Sequence, residues 1–299
     1  MTSAAFEESW LTGPAGTKFY TRTYKADQPK ALLVFVHGFA EHVARYNHAH
    51  VRYPEKDITV FTYDARGFGK TALDAANKSK DSSYGKTNWK HQFGDIEWAI
   101  EHARKEVPDV PTFLMGHSMG GGNVLGFVTR NTPPPSPDTI KLLSGVIASS
   151  PLLILTTPAS PVQRWLGRKA RPFLPNLLVP APVGEENLNR NPERNKVLSD
   201  PLIKQVGTVA GLTDMFDGGK KLLDEDYVHF PQSLPLLILH GDADKITSHD
   251  ASKAFVDKVN ADDKKFSSYP DGYHELVNEP DGISEKFTDE VTGWILSKL

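Results

Sequence analysis

Residues 113–122 read FLMGHSMGGG: an apolar run, a serine bracketed by glycines, then two glycines more. In Gly116-His117-Ser118-Met119-Gly120 the only side chain with an obvious nucleophile is Ser118. A serine hydroxyl is a poor nucleophile until a base takes its proton. Presenting it at a strand-to-helix corner requires a strained turn, and that turn demands small neighbours on both sides. Residues 112–115 read as the strand, Gly116 and Gly120 as the small flanks, and residues from 121 onward as the helix. A plain glycine turn is the alternative, and the partners of Ser118 decide between the two.

Those partners follow in order along the chain. HGDAD at 240–244 places Asp242 and Asp244 in a loop after an apolar run, and DGYHE at 271–275 supplies His274. Serine, then aspartate, then histidine is the order of an α/β-hydrolase. Ser118 then attacks, His274 acts as base and later as acid, and a carboxylate holds the imidazole in the right tautomer. Asp244 is favoured because it has left the strand and can reach another loop. Asp242 reads as a turn-capping carboxylate. Backbone N–H groups must meet the developing oxyanion, one from Met119 and one from Phe39, with Gly38 letting the backbone approach.

Outward from this stretch, apolar runs at 31–36, 58–63, 112–115, 144–148 and 234–240 alternate with helical patterns at 89–107, 120–130, 251–259 and 284–299. Unbroken apolar strands separated by helices predict an α/β fold, a mostly parallel sheet covered on both faces, with ligands gathering at the carboxyl ends of the strands. Half of the 22 prolines fall between Pro133 and Pro182, and no core strand is expected from 151 to 219. That stretch reads as a helical cap inserted into a core made of 1–150 and 220–299. Its apolar residues, among them Val162, Trp165, Leu166, Phe173, Leu174, Leu177 and Leu178, are interspersed with Arg164, Arg168, Lys169 and Arg171. Such a segment suits a lipid surface, or is a short helix pair packing its apolar face over the core, and both readings hold if it caps a pocket for a greasy ligand. Leu174, Leu177 and Leu178 are the acyl-pocket candidates.

Several classes are excluded. A net charge of −3 offers no footprint for nucleic acid, and the absence of cysteine removes thiolate catalysis, disulfides and zinc–thiolate sites. No apolar run is long enough to span a membrane. Gly67-Phe68-Gly69-Lys70-Thr71 imitates the end of a phosphate-binding loop, but Asp64 stands where that motif needs its first glycine. The eleven histidines form no H-E-x-x-H pair, so neither metal nor cofactor is expected. The first residues carry no basic-then-apolar pattern, which argues for an intracellular protein, in cytoplasm or on lipid droplets. Ser297-Lys298-Leu299 matches a receptor-read peroxisomal address, meaningful in a eukaryote, or is simply a last helical turn.

HGFAEHVARY at 37–46, YDARGFGKT at 63–71, GHSMGGG at 116–122, LSDPL at 198–202, HGDAD at 240–244 and GYHEL at 272–276 resemble the monoacylglycerol lipase group of the α/β-hydrolases, the serine aminopeptidase S33 or Hydrolase_4 type. The resemblance implies hydrolysis of long-chain monoacylglycerols without a cofactor, and a helical cap that forms a tunnel and docks on lipid surfaces. By residue matching it implies Ser118, Asp244 and His274 as the triad and Phe39 and Met119 as oxyanion donors. Glu41, Arg45 and His117 then lie near the end of the pocket that holds the glycerol. The chain departs from the pattern at Ala40, where the group carries a second glycine, and at Val197, where mammalian members are expected to carry tyrosine.

A serine hydrolase of single-chain acyl esters is therefore expected, with monoacylglycerol as the leading substrate. A broad carboxylesterase, a lysophospholipase and an acyl-CoA thioesterase are the rival enzymes. A non-catalytic ligand-binding hydrolase fold is the rival from another class, but a pure binder has no use for the full Ser/Asp/His set. Dehalogenase chemistry is disfavoured because the elbow carries serine and not aspartate.

Overall fold

A computed structural model describes residues 5–158 and 160–299. Residues 1–4 of the expected core and residue 159 of the expected insertion lie outside the described residues. Among the described residues ten strands form: β1 (Glu7–Thr12), β2 (Lys18–Tyr24), β3 (Ala31–Val36), β4 (Ile58–Tyr63), β5 (Thr112–His117), β6 (Leu143–Ser149), β7 (Leu178–Pro180), β8 (Val206–Thr208), β9 (Leu236–Gly241) and β10 (Lys264–Tyr269). Eight of them form one sheet in the order β1-β2-β4-β3-β5-β6-β9-β10. The pairs β1/β2 and β2/β4 are antiparallel, and the rest of the sheet is parallel. This is the α/β-hydrolase architecture that the sequence predicts.

The five expected strands are all present, and β1, β2 and β10 join them. Two of the additions, β1 and β10, escape an apolar-run criterion for a physical reason, whereas β2 is largely buried and is masked by Thr21, Arg22 and Thr23 within it. Only strands buried on both faces read as continuous hydrophobic runs. β3 is such a strand: Leu32, Val34 and Val36 enter the core on one face, Ala31, Leu33 and Phe35 on the other. β10, with the sequence KKFSSY, lies at the sheet edge and is mostly exposed. β1, with the sequence EESWLT, closes the opposite edge and is likewise exposed.

Helices Trp89–Glu106, Met119–Thr129 and His249–Lys258 cover the first face through residues such as Phe93, Ile100, Leu125, Phe127 and Phe255. Helix Ile283–Leu296 covers the second through Phe287, Val291, Trp294 and Ile295. That helix stops short of the expected 299: Ser297 Oγ donates to Trp294 O at 2.7 Å, and Lys298 pairs with Asp263 at 2.5 Å. Because β3, β5, β6, β9 and β10 run in parallel, their carboxyl ends and the loops that follow them converge on one edge.

Between β6 and β9, neighbours in the sheet, the chain makes its long excursion. Residues 151–219 add no strand to the large sheet. They hold helix Pro161–Ala170 and the antiparallel ribbon β7/β8, then enter helix Val209–Asp224, which no sequence signal had marked out. Thr208 caps that helix by accepting from Gly211 N–H at 3.2 Å, and Met215, Leu222 and Leu223 insert into the core. The expected end of the insertion at 219 thus falls inside a helix.

Candidate active site

The glycines of the opening stretch have a steric cause. Ser118 stands at the end of β5 with φ 55° and ψ −117°, a region that costs a non-glycine residue strain. A Cβ on Gly116 would collide with Gly120 O, and one on Gly120 with Val36 O. No larger side chain fits either place, so the glycines serve the serine. The corner is pinned from outside as well: Ser118 N–H donates to Ser149 O at 2.9 Å, and Ser118 O accepts from Leu152 N–H at 2.9 Å.

From this corner Ser118 Oγ–H donates to His274 Nε2 at 2.9 Å, and His274 Nδ1–H donates to Asp244 Oδ2 at 2.7 Å. All three groups are buried. Asp244 is held by more than His274. Its Oδ1 accepts from Ile246 N–H at 2.7 Å and from Thr247 N–H at 3.0 Å, and its Oδ2 accepts from His240 Nε2–H at 3.0 Å. Burial raises the Asp244 pKa, but His274 and His240 outweigh it and hold the carboxyl far below its usual range. Burial lowers the His274 pKa, yet Asp244, with Glu275 and Glu41 further off, leaves it above 6.5. Asp242 is exposed and caps a turn by accepting from Asp271 N–H at 2.7 Å. The structure therefore places Asp244, not Asp242, against the imidazole.

The loop after β3 faces the serine. A Cβ on Gly38 would lie 3.2 Å from Ser118 Cβ, so a bare backbone is what allows the approach. His37 stiffens this loop, donating from Nδ1 to Gly38 O and accepting from Ala65 N–H at Nε2, both at 2.8 Å. Among the described residues the N–H groups of Phe39 and Met119 have no protein acceptor, as an oxyanion pair requires. Ala40, where the resemblance expects glycine, has φ 55°, the left-handed conformation that glycine adopts without cost. The false phosphate loop also finds its explanation. Asp64 accepts from Val43 N–H at 2.8 Å and Lys70 N–H at 2.6 Å, stapling the 67–71 turn beneath the loop after β3.

Beside Ser118 opens a cavity of about 170 Å³. Its charged end holds Glu41, Arg45 and Glu275. Arg45 donates from Nε to Glu41 Oε1 at 2.9 Å and from a terminal nitrogen to Glu275 Oε1 at 2.5 Å. Glu41 Oε2 also accepts from Gly38 N–H at 2.9 Å and Tyr46 O–H at 2.5 Å, so one carboxylate braces the loop that carries Phe39. Burial raises the Glu41 pKa, but Arg45 and the Tyr46 hydroxyl bring it down to about 2. His117 lines the cavity with its ring 4.8 Å from that of His274, and burial, with His274 next, pushes its pKa down to about 3. It is a neutral wall at ordinary pH. Among the described residues no cluster of carboxylates and imidazoles is arranged to hold a metal ion.

The rest of the wall corrects one expectation. Leu174, Leu177 and Leu178 do not line the cavity; each is about half exposed, at 53%, 48% and 48%. Leu178 begins the β7/β8 ribbon with its side chain exposed, and Leu174 and Leu177 lie exposed in the turn before it. The wall that the insertion does contribute includes Ala181, Pro182, Val183, Leu188, Val197 and Ile203, with Leu152, Leu155 and Gln205 and, from the unforeseen helix, Met215 and Phe216. Val197, one of the two departures, is therefore a cavity residue. The outward leucines join Val162, Trp165, Leu166 and Phe173 in an exposed apolar face. Along helix Pro161–Ala170, Arg164 and Arg168 pair with Asp217, and Arg171 at its C-terminal end pairs with Asp214.

Sequence reasoning missed His240, Thr247, Glu275, Asn189 and Asn278. His240 and Glu275 sit inside quoted motifs, adjacent to residues that were assigned; Asn189 and Asn278 carried no signal.

Comparison with known proteins agrees with this geometry. The family model described as serine aminopeptidase, S33 (Hydrolase_4) matches residues 27–281. A putative monoglyceride lipase of Schizosaccharomyces pombe is 35% identical over 90% of this chain and 68% of its own. A monoacylglycerol lipase of Mycolicibacterium smegmatis is 28% identical over the full length of both. A crystal structure of a soluble variant of monoglyceride lipase from Saccharomyces cerevisiae, in complex with a substrate analog, superposes with a TM-score of 0.85. It covers 99% of this chain and 96% of that one at 23% identity, a likeness of fold. With elbow, charge relay and sheet order in place, the chain belongs to the serine aminopeptidase S33 (Hydrolase_4) family of α/β-hydrolases, as a serine hydrolase of the monoglyceride-lipase-like group.

Proposed function

We propose that this protein hydrolyses long-chain monoacylglycerols to glycerol and a fatty acid through an acyl-enzyme. The observation that carries the reading is the unbroken Ser118–His274–Asp244 relay at the mouth of a largely apolar cavity. Ser118 Oγ attacks the ester carbonyl while its proton passes to His274 Nε2, and Asp244 stabilises the imidazolium that forms. The tetrahedral oxyanion is met by the N–H groups of Phe39 and Met119. On collapse the C–O bond breaks and His274 returns the proton to the leaving alcohol. Water then repeats the sequence, with its proton taken by His274, and releases the fatty acid and free Ser118.

Residues 151–219 act as the cap in this reading. Their inner residues close the acyl channel, and their exposed apolar face, from Val162 to Leu178, contacts the lipid surface that delivers the substrate. Glu41, Arg45 and His117 receive the glycerol end. No helix of the described residues is long and apolar enough to cross a membrane, so the contact is peripheral.

The test is fatty-acid release by purified protein from a long-chain monoacylglycerol, with the matching diacylglycerol and lysophospholipid in parallel. Selective cleavage of the monoacylglycerol is expected. Equal cleavage of all three, or of short soluble esters alone, would keep the serine hydrolase and discard the named substrate.

A further inference from the structure

Resting on that reading, we propose that Glu275 sets the charge class of the alcohol this enzyme releases. Neutral and cationic alcohols are admitted, and alcohols carrying phosphate or carboxylate are refused. Among the described residues that line the cavity, the formally charged side chains are Glu41, Arg45 and Glu275. Without Glu275 the remaining pair would be neutral, and a lone arginine braced by one carboxylate is an inviting site for phosphate. With it, the group carries a net charge of −1, and the guanidinium meets a carboxylate on each side.

Glu275 is built in as an anion. One oxygen accepts from Arg45, and the other accepts from Asn189 Nδ2 at 2.7 Å and Asn278 Nδ2 at 2.8 Å. Each of these partners is a donor, which matches the acceptor-only oxygens of a carboxylate. Its side chain is 2% exposed, which leaves little water to screen it. The carboxylate also belongs to the residue after His274, and its N–H donates to Leu188 O at 2.8 Å. It is therefore clamped between the base loop and the cap segment and cannot swing away from an incoming anion.

With His274 neutral, the form that takes the Ser118 proton, the remaining cavity groups do not offset it. Gln205 is neutral, His117 is a neutral imidazole, and Asp244 behind His274 adds a second negative charge. At an effective dielectric near 20, an anionic head held within several ångströms of a net charge of −1 is disfavoured roughly tenfold to a hundredfold. Glycerol has no charge to repel. Its hydroxyls can donate to the carboxylates and accept from Arg45, so the same three residues that refuse phosphate recognise a polyol. The rule sets monoacylglycerols and cationic esters apart from lysophosphatidates and acyl-CoA thioesters.

The experiment uses three esters of one acyl chain: a monoacylglycerol, a 1-acylglycerol 3-phosphate and an acylcholine, each below its aggregation limit. kcat/KM is measured for the wild type, E275Q and E275D. The wild type is expected to disfavour the phosphate ester by about tenfold or more relative to the other two. E275Q should raise the phosphate-to-glycerol ratio by about tenfold, whereas E275D, which keeps the charge, should hold the wild-type ratio even if it is slower. A structural role alone would slow all three esters together in E275Q and leave the ratio unmoved, which overturns the proposal. Should E275Q not fold, a wild type that cleaves the phosphate ester as readily as the glycerol ester overturns it equally. If the acylcholine is cleaved, the phosphate ester refused and the monoacylglycerol ignored, the charge rule stands and the monoacylglycerol reading falls. Silence of the wild type on every ester overturns both.

Discussion

His240 and His274 donate to the same oxygen of Asp244, at 3.0 and 2.7 Å. A carboxylate cannot donate, so the Nε2 of His240 must carry the proton. Its Nδ1 then accepts from Ser252 Oγ–H at 2.8 Å. Burial, the largest influence, keeps the His240 pKa low, so it acts as a neutral brace beside the charge relay. The carboxylate that fixes the His274 ring is thus itself held, by a histidine that is the penultimate residue of β9 and lies four residues before it.

Replacing Ser118 with alanine should leave the fold intact and lower turnover by on the order of 10⁴ or more, because triad members act as a unit. Asp244→Asn should cost a comparable factor by imposing the wrong tautomer on His274. Asp242→Asn should stay within about threefold of wild type, since that side chain only caps a turn. Steady-state rates on a soluble ester, with circular dichroism of each variant, check all three.

The pH profile follows from the raised His274 pKa. Only the neutral imidazole can take the Ser118 proton, so kcat/KM should rise with pH through a midpoint above 6.5. Stability runs the other way. A folded-state pKa above the unfolded one contributes stability that is fully present below the unfolded pKa and is lost as pH rises through the folded value. Asp244→Asn removes the charge that raises the pKa and should move the residual activity's acid limb to lower pH. An unmoved limb would mean that the titrating group is not His274.

Ala40 adopts φ 55° where glycine would sit at ease. A left-handed alanine costs about 1–2 kcal/mol, against about 0.5–1 kcal/mol of extra entropy lost on folding by a glycine. Ala40→Gly should therefore leave stability unchanged or raise it by up to about 1 kcal/mol. Ala99→Gly, inside helix Trp89–Glu106 and fully buried, should cost about 1 kcal/mol or more. Urea denaturation of the two variants gives the comparison.

Trp165 and Phe173 are 55% and 83% exposed on the outer face of the insertion. Changing both to serine should lower activity on lipid dispersions by about tenfold, from the apolar area no longer buried at the lipid surface. Activity on a short soluble ester should hold, because neither side chain lines the cavity. Equal losses on both substrates would show that these residues support packing only.

The sequence alone determined what depends on local chemistry. Apolar runs 31–36, 58–63 and 112–115 became β3, β4 and β5 because strands buried on both faces must be apolar throughout. Gly116 and Gly120 announced the corner at Ser118 because no larger side chain fits there. The edge strands β1 and β10 stayed illegible, since an exposed face carries polar residues that blur the signal.

Tertiary structure decided what depends on distant partners. Whether Asp242 or Asp244 meets His274 hangs on which loop face turns inward, and both residues obey the same local rules. Leu174, Leu177 and Leu178 read as pocket residues, yet the folded chain leaves them about half exposed and lines the cavity with other residues. Glu275 is one glutamate in a loop until Arg45, 230 residues away in sequence, is brought to 2.5 Å from it. Periodicity and turn residues report a chain's neighbours along itself. The pairing of buried charges is an agreement between segments that meet only when the sheet is complete.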